Sequence, residues 1–199
     1  MTSFYLVVLG GKARSSNIEQ HDVRWVVGDQ IEDAYSELRN QWHGIQTGLH
    51  IDSYSEIKHV DGYKIDLEKR NVNKSLTNKY NYRSDSREAK NSLWFVNLGA
   101  YDPSSLSEVH KFGLIVARTK EECLSRAKKK WLLGYSHVHL DNYYNILSIP
   151  IPTTIKNYKN QQEEWIILLT KDKNSIDYKL SPDWFGYKPI QGSIQKGIF

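Results

Sequence analysis

The sequence contains little cysteine and no long apolar run, and each absence excludes a class of protein. A single cysteine, Cys123, in 199 residues cannot form an internal disulfide, which excludes disulfide-stapled folds and favours a reducing compartment. The apolar run at residues 4–9 is far shorter than the roughly 20 residues that cross a bilayer. No basic leader with a cleavage site accompanies it. We therefore predict a soluble, cytoplasmic protein that does not use a membrane.

Acidic residues are scarce in one stretch, and this accounts for the net charge. Residues 68–90 hold seven basic and three acidic side chains, a surplus equal to the whole net charge of +4. A second basic group on a predicted helix has no equivalent in the first half of the chain; it consists of Arg126, Lys128, Lys129 and Lys130. Because no recognised nucleic-acid motif accompanies these charges, nucleic-acid binding is the least favoured function.

The sequence does contain an internal duplication. A shift of 89 residues, without a gap, places Leu9-Gly10 on Leu98-Gly99 and Trp42 on Trp131. Self-similarity at a fixed spacing indicates that one structural unit is used more than once. The duplication therefore predicts two related units.

Each copy predicts the element order β-β-α-β-β. In the second strand Val23, Trp25 and Val27 alternate, a period typical of a half-buried strand. The spacing then becomes helical, with one stripe formed by Ala34, Tyr35, Leu38 and Trp42 and repeated by Cys123, Leu124, Ala127 and Trp131. Capping-box spacing predicts that the helices begin at Asp29 and at Thr119. We expect an α+β fold in which antiparallel or mixed four-stranded sheets each pack on one helix, arranged as a pseudo-twofold pair.

The predicted boundaries follow from these patterns. Residues 1–67 form the first repeat, 68–92 a basic polar linker, 93–170 the second repeat and 171–199 a C-terminal tail. Asp61-Gly62 predicts a tight hairpin turn into the fourth strand of the first repeat. In the tail, three aromatic residues predict a clasp that docks on the body of the protein: Trp184, Phe185 and Tyr187.

The most informative polar residues are those present in both copies. Each copy has one Glu-x-His and one His-x-Asp pair, and the eight candidate ligand-binding residues are Glu19, His21, His50, Asp52, Glu108, His110, His139 and Asp141. Imidazoles and carboxylates bind transition metals and also act as general acids and bases. His21 shares strand parity with Val23, however, while His50 alternates with Leu49. Whether the pairs share a face, or instead serve structural hydrogen bonds, stays open.

The loop after the first strand has the composition of an anion-binding turn. Its candidate residues are Gly10, Gly11, Lys12, Arg14, Ser15 and Ser16. The Gly-Lys-Ser/Thr order of a phosphate-binding loop is missing, and the second copy lacks the two cations. An ordinary turn is the simpler interpretation.

Several of these segments together resemble a bacterial family, DUF1543, catalogued as a domain of unknown function. The resemblance is carried by residues 5–11 and 17–23, by Val26-Val27-Gly28, Trp42, His50-Ile51-Asp52 and Val60-Asp61-Gly62-Tyr63, and in the second copy by residues 95–99 and 108–111. It implies two tandem copies of one domain, at about 3–67 and 93–170. It implies no activity, cofactor or catalytic residue.

Three functions are compatible with the sequence. The favoured one is a non-enzymatic module that binds a protein or small ligand in the groove between the repeats, and a homo-oligomer is compatible with it. The alternative is a metal-dependent or acid–base hydrolase that uses the repeated Glu-x-His and His-x-Asp pairs. Weak nucleic-acid binding through the basic residues is the third. The sequence specifies neither a cofactor nor whether the protein is an enzyme.

Overall fold

The computed structural model describes residues 1–71, 90–150, 163–172 and 180–190. The chain divides into two compact units, Met1–Ile57 with Lys179–Phe199, and Lys58–Tyr178. The described residues form antiparallel sheets and two short helices, so the predicted α+β class is confirmed.

The first unit contains one four-stranded sheet and a short helix. Its elements are β1 (Ser3–Gly11), β2 (Gln20–Gly28), a 3₁₀ turn (Ile31–Ala34), α1 (Tyr35–Gln41), β3 (His50–Glu56) and β11 (Trp184–Pro189). The strand order is β11-β3-β1-β2, and all the pairings are antiparallel. The C-terminal β11 therefore forms an edge of the sheet that contains β1.

One face of this sheet packs on α1. The core joins Tyr5, Val7 and Leu9 of β1 with Leu38 and Trp42. Leu38 is fully buried, and Trp42 caps the C-terminal end of α1, so the predicted apolar stripe does form the core. Because side chains alternate along a strand, the even-numbered residues of β1 lie on the opposite face.

The second unit contains two sheets and one helix. Its elements are β4 (His59–Val60), β5 (Tyr63–Asn71), β6 (Ser92–Tyr101), β7 (Val109–Ala117), α2 (Lys120–Lys130), β8 (Ser136–Ile146), β9 (Ser148–Pro150) and β10 (Glu163–Lys171). One sheet has the order β7-β6-β8 and the other β4-β5-β10-β9. The sheet β7-β6-β8 corresponds to β2-β1-β3 of the first unit.

The second helix packs on the same face of its sheet as the first. Trp94, Val96 and Leu98 of β6 form a core with Cys123 and Ala127 of α2. Thr119 caps α2, because its hydroxyl accepts a hydrogen bond from the backbone of Glu122 at 3.2 Å. The predicted start of this helix is confirmed.

The start of the first helical segment differs from the prediction by one residue. Gln30, and not Asp29, precedes the 3₁₀ turn, and its backbone N–H donates to Asp33 Oδ2 at 3.1 Å. Asp33 also accepts from the backbone of Asp29 at 3.1 Å. Asp33, and not the predicted Glu32, therefore accepts the free backbone N–H groups of Asp29 and Gln30 at this end.

The prediction that the four strands of each repeat form one sheet on its helix is not confirmed, because the two fourth strands lie together in a separate sheet. The hairpin of β4 and β5 turns at Asp61 and Gly62, both with positive φ as a two-residue type I′ turn requires. However, β5 pairs along its whole length with β10, and both strands belong to the second unit. A repeat identifies related segments, but strand pairing depends on which apolar faces meet in space.

Two of the predicted segments lie largely outside the described residues. These are the basic linker, at residues 72–89, and the proline-containing loop, at 151–162. Within the part of the chain that is described, neither helix has the length and apolar composition needed to cross a membrane.

Candidate functional site

The first set of repeated polar residues is organised around Gly10. In the strand register, Gly10 pairs with His21 on one side and with His50 on the other. Residues directly opposite each other in neighbouring strands lie on the same face, so both imidazoles lie on the face away from α1. The two histidines therefore share a face. The alternating Val23, Trp25 and Val27 belong to that face too, while Val26 joins the core on α1.

The aspartate of each His-x-Asp pair occupies a bulge. Leu9 pairs with Ile51 and Val8 with Ser53, which leaves Asp52 without a partner in β1. The second unit repeats this at Asp141, between the pairings of Leu98 with Leu140 and of Asn97 with Asn142. A bulge re-aims a side chain relative to the regular pleat. The same irregularity thus places an aspartate beside the histidines in both units.

The four side chains of the first unit converge; we refer to Glu19, His21, His50 and Asp52 as the first cluster. His50 Nε2 lies 3.1 Å from Asp52 Oδ1 and 3.6 Å from Glu19 Oε1. His21 Nε2 lies 3.4 Å from Asp52 Oδ2 and 3.9 Å from Glu19 Oε2. Each carboxylate therefore bridges two imidazoles.

The second cluster, formed by Glu108, His110, His139 and Asp141, repeats this arrangement. His139 Nε2 lies 2.7 Å from Glu108 Oε1 and 3.1 Å from Asp141 Oδ1. His110 contacts Asp141 through Nδ1 at 2.9 Å, and its Nε2 lies 3.6 Å from Glu108 Oε2. Ligand atoms of Glu108, His139 and Asp141 lie within 4.8 Å of one another, a spacing that can hold a metal ion.

The orientation of one imidazole in each cluster is set by a backbone carbonyl. His50 Nδ1 lies 2.9 Å from the carbonyl oxygen of Gly48, and His139 Nδ1 lies 2.8 Å from that of His137. A carbonyl only accepts, so Nδ1 donates its proton and Nε2 of the same ring is directed at the carboxylates. The hydrogen bond to His137 raises the pKa of His139, and Asp141 and Glu108 raise it further.

Glycine provides the space for both clusters. A Cβ atom on Gly10 would lie 2.5 Å from His50 Nε2 and 2.9 Å from Asp52 Oδ2. On Gly99 it would lie 2.7 Å from His139 Nε2 and 2.9 Å from Asp141 Oδ2. Contacts this short are not tolerated, so the side chains occupy the volume that a larger residue would fill.

One carboxylate oxygen of the second cluster is buried without a hydrogen bond. Glu108 Oε1 is shielded from solvent, and it lies 2.7 Å from His139 Nε2 without the alignment of a hydrogen bond. Asn97 Nδ2 donates to Asp141 Oδ2 at 3.3 Å, while Asn97 Oδ1 is also buried without a hydrogen bond. Buried acceptors of this kind normally have a partner.

Of the predicted anion-binding loop, Gly10 and Gly11 belong to β1, and the residues after the strand have a local structural role in both units. The Ser16 hydroxyl donates to the carbonyl of Ile18, and the Ser105 hydroxyl donates to that of Ser107 at 3.0 Å. Ser15 adopts a positive φ of 62°. Lys12 and Arg14 are both exposed. Anion binding by these residues stays a prediction.

Two of the four basic residues on α2 contact a buried carboxylate. Asp61 lies 3.0 Å from Arg126 and 3.2 Å from Lys130, and it accepts the backbone N–H of Val116 at 2.9 Å. Arg126 also donates to the carbonyl of Val116. These cations are thus engaged within the second unit.

Sequence reasoning found the eight cluster residues but missed three kinds of supporting residue. Gly10 and Gly99 are related by the same 89-residue shift as the cluster residues. This repetition could have identified them as part of the site. The residues whose carbonyls orient the imidazoles, Gly48 and His137, repeat in position but not in type. The ring of Tyr187 packs against His50, with ring centroids 4.1 Å apart. Tyr187 lies in the tail, which the 89-residue shift does not match to the first copy.

Comparisons with known proteins give a family and similar solved structures. The chain resembles the crystal structure of a protein Il1583 from Idiomarina loihiensis, with a TM-score of 0.63 and 27% identity over 96% of this chain and 99% of that one. Comparison with curated proteins gives no match. The family described as Domain of Unknown Function (DUF1543) matches residues 16–67 and 105–152, which together make up half of the chain. These two segments carry all eight cluster residues, and the chain belongs to the DUF1543 family.

Proposed function

We propose that the protein binds divalent transition-metal ions, one at each cluster. The observation that carries this proposal is the repeated geometry around His50 and His139. In each, one ring nitrogen is held by a backbone carbonyl and the other faces two carboxylates. Metal-bound histidines nearly always donate their second ring N–H to such an acceptor.

The distances support a single ion per cluster. Ligand atoms placed about 2.0–2.1 Å from a tetrahedral zinc lie roughly 3.3 Å apart. In the first cluster the nitrogen–oxygen separations range from 3.1 to 3.9 Å. In the second, one ligand atom each from Glu108, His139 and Asp141 lie within 4.8 Å of one another, and His110 can add either Nδ1, 2.9 Å from Asp141, or Nε2, 3.6 Å from Glu108. A cation between these atoms would be held by ring nitrogens and by both carboxylates of its cluster.

The donor set favours a borderline metal. Two imidazoles and two carboxylates suit zinc, manganese, iron(II), cobalt or nickel, whereas calcium and magnesium prefer oxygen ligands alone. His21 and His110 are about half exposed, so one side of each cluster faces solvent. A ligand from solution can therefore complete the coordination.

Metal binding is tested on the full chain, produced without a histidine tag and stripped with a chelator. We expect native mass spectrometry and titration calorimetry with zinc, manganese and cobalt to show one ion per cluster. His50→Ala and His139→Ala should each remove one ion. A metal at 100 times its dissociation constant should raise the free energy of unfolding by about 2.7 kcal/mol.

His43→Ala is the matched control, because His43 is an exposed histidine outside both clusters that contacts Asp22. It should keep both ions. Failure of all three metals to bind would overturn the proposal, and so would equal losses in His43→Ala and His50→Ala.

The other expected functions stay predictions. A hydrolase would need this metal or an equivalent acid–base pair, and substrate turnover has to be measured once the metal is known. Binding in a groove between the repeats is likewise a prediction, to be tested by partner capture.

A further inference from the structure

The two clusters differ at one equivalent imidazole. The His50 side chain is 3% exposed, whereas the equivalent His139 side chain is 40% exposed. His21 and His110 have similar exposures, as do Asp52 and Asp141. Glu19 is more exposed than Glu108, at 46% against 28%, so the largest difference, and the one that shields the first cluster, is at the histidine whose Nε2 faces both carboxylates.

His50 lies between Gly10 and an aromatic ring of β11. The backbone of Gly10 packs against one side of the imidazole, and the Tyr187 ring stacks on it at 4.1 Å with an interplanar angle of 33°. In the second unit the nearest stacked ring is Tyr101, whose centroid lies 5.7 Å from that of His139. Tyr101 belongs to β6, whereas Tyr187 is delivered by a strand from the far end of the chain.

Several contacts hold β11 in place on both sides of Tyr187. Before it, Asp183 accepts the backbone N–H of Glu56 at 2.7 Å, and Trp184 stacks on Tyr54 with centroids 5.9 Å apart. After it, Lys188 contacts Glu32 at 3.1 Å, and Arg39 donates to the carbonyl of Ile190 at 2.7 Å. The register shifts between Phe185 and Lys188, so Tyr187 lies in an irregular part of the strand. This segment is fixed at its ends and presents one ring to His50.

We infer that β11 closes the His50 side of the first cluster and leaves the equivalent side of the second open to an outside ligand. This inference rests on the metal-binding proposal for the identity of the bound ion. Tyr187 is a positioning residue: it holds the His50 ring in place and blocks approach to it. The first cluster then releases its metal more slowly, and a small anion or a substrate oxygen reaches the metal more readily at the second.

The first experiment measures the release of cobalt or zinc from the loaded full chain to a chromophoric chelator. We expect a fast phase that His139→Ala removes and a slow phase that His50→Ala removes. Tyr187→Ala should accelerate the slow phase about tenfold or more, the size seen when a supporting contact of a ligand is lost. Phe185→Ala is the matched control, because Phe185 lies on the same strand at a similar exposure, 77% against 64% for Tyr187, and Tyr187 is the ring that contacts His50; it should leave both phases unchanged.

The second experiment needs no metal. Diethyl pyrocarbonate is applied to the metal-free chain, and the modification of each histidine is followed by peptide mass spectrometry. His139 should react and His50 should be protected, and Tyr187→Ala should expose His50 without changing His139. Tyr187→Phe keeps the ring and should keep the protection, which covers the case in which the alanine variant does not fold.

The two proposals fail in distinguishable ways. A chain that binds metal but reacts equally at His50 and His139 overturns the closure by β11 and leaves the metal proposal standing. A chain that binds no metal but protects His50 in a Tyr187-dependent way overturns the metal proposal and supports the closure.

Discussion

The Nδ1 atom of His50 lies 2.9 Å from the carbonyl oxygen of Gly48, two residues earlier in the chain. Gly48 has a φ of +82°, and the equivalent His137, whose carbonyl contacts His139, has a φ of +51°. A left-handed residue at this position turns its carbonyl toward the following imidazole in both units. Backbone conformation therefore sets the orientation of a side chain in each cluster.

Replacing Gly48 tests this backbone requirement. No atom lies within 4 Å of an added Cβ, so Gly48→Ala introduces conformational strain without a clash. We expect it to lower the free energy of unfolding by about 1–2 kcal/mol, the cost of the left-handed region for a residue with Cβ. Urea denaturation measures the loss. His137→Gly removes the corresponding strain and should not destabilise the chain by a similar amount; a comparable loss there would contradict the explanation.

Replacing Gly10 tests the space under the first cluster. An alanine Cβ would lie 2.5 Å from His50 Nε2, so Gly10→Ala should displace this imidazole and remove metal from the first cluster. Gly99→Ala should do the same at the second. The measurement is the metal content of each folded variant, and each variant is the control for the other. Loss of both ions in either variant would mean that the clusters are not independent.

The two tryptophans at the helix ends should differ in their contribution to stability. Trp42 is buried among the core residues, and its Nε1 donates to the carbonyl of Ile45 at 3.1 Å, whereas Trp131 is only partly buried. Trp42→Ala should lower the free energy of unfolding by about 3–5 kcal/mol. Trp131→Ala should cost less. Equal losses measured by chemical denaturation would contradict the difference in burial.

The single cysteine should be unreactive in the folded protein. Burial raises the pKa of the Cys123 thiol to about 12, so the thiolate is absent near neutral pH. A thiol reagent such as Ellman's should react only after denaturation. Because the unfolded thiol ionises at lower pH than the folded one, stability should be unaffected below pH 9 and fall as pH rises toward 12. Cys123→Ala should lack this part of the alkaline decline, and rapid labelling of the native chain would disprove the burial.

Most of the secondary structure was predictable because its signals are local. The helical spacing of Leu38 and Ala127 and the Thr119 cap lie within short stretches of sequence, and each appears in the structure. The first helix start was misplaced by one residue, because Asp29 and Gln30 are both followed three positions later by a carboxylate, Glu32 or Asp33. Local spacing could not choose between them.

The membership of the clusters was also predictable, but their convergence was not. Duplication selected Glu19, His21, His50 and Asp52, since these types recur at the same spacing in the second copy. Strand parity in the sequence left open whether His21 and His50 share a face. The pairing of both with Gly10 places them together, and a bulge adds Asp52. Register and bulges depend on neighbouring strands, which a single strand's pattern does not contain.

The doubling of the chain, the two helix cores and the eight recurring polar residues follow from the order of amino acids, because each depends on local periodicity or on comparison of the copies. The pairing of β5 with β10, the return of β11 to β3 and the burial of His50 under Tyr187 required the tertiary structure. These contacts join residues that are distant in the chain. They arise from the free energy of covering apolar faces and satisfying strand edges, which local sequence does not specify.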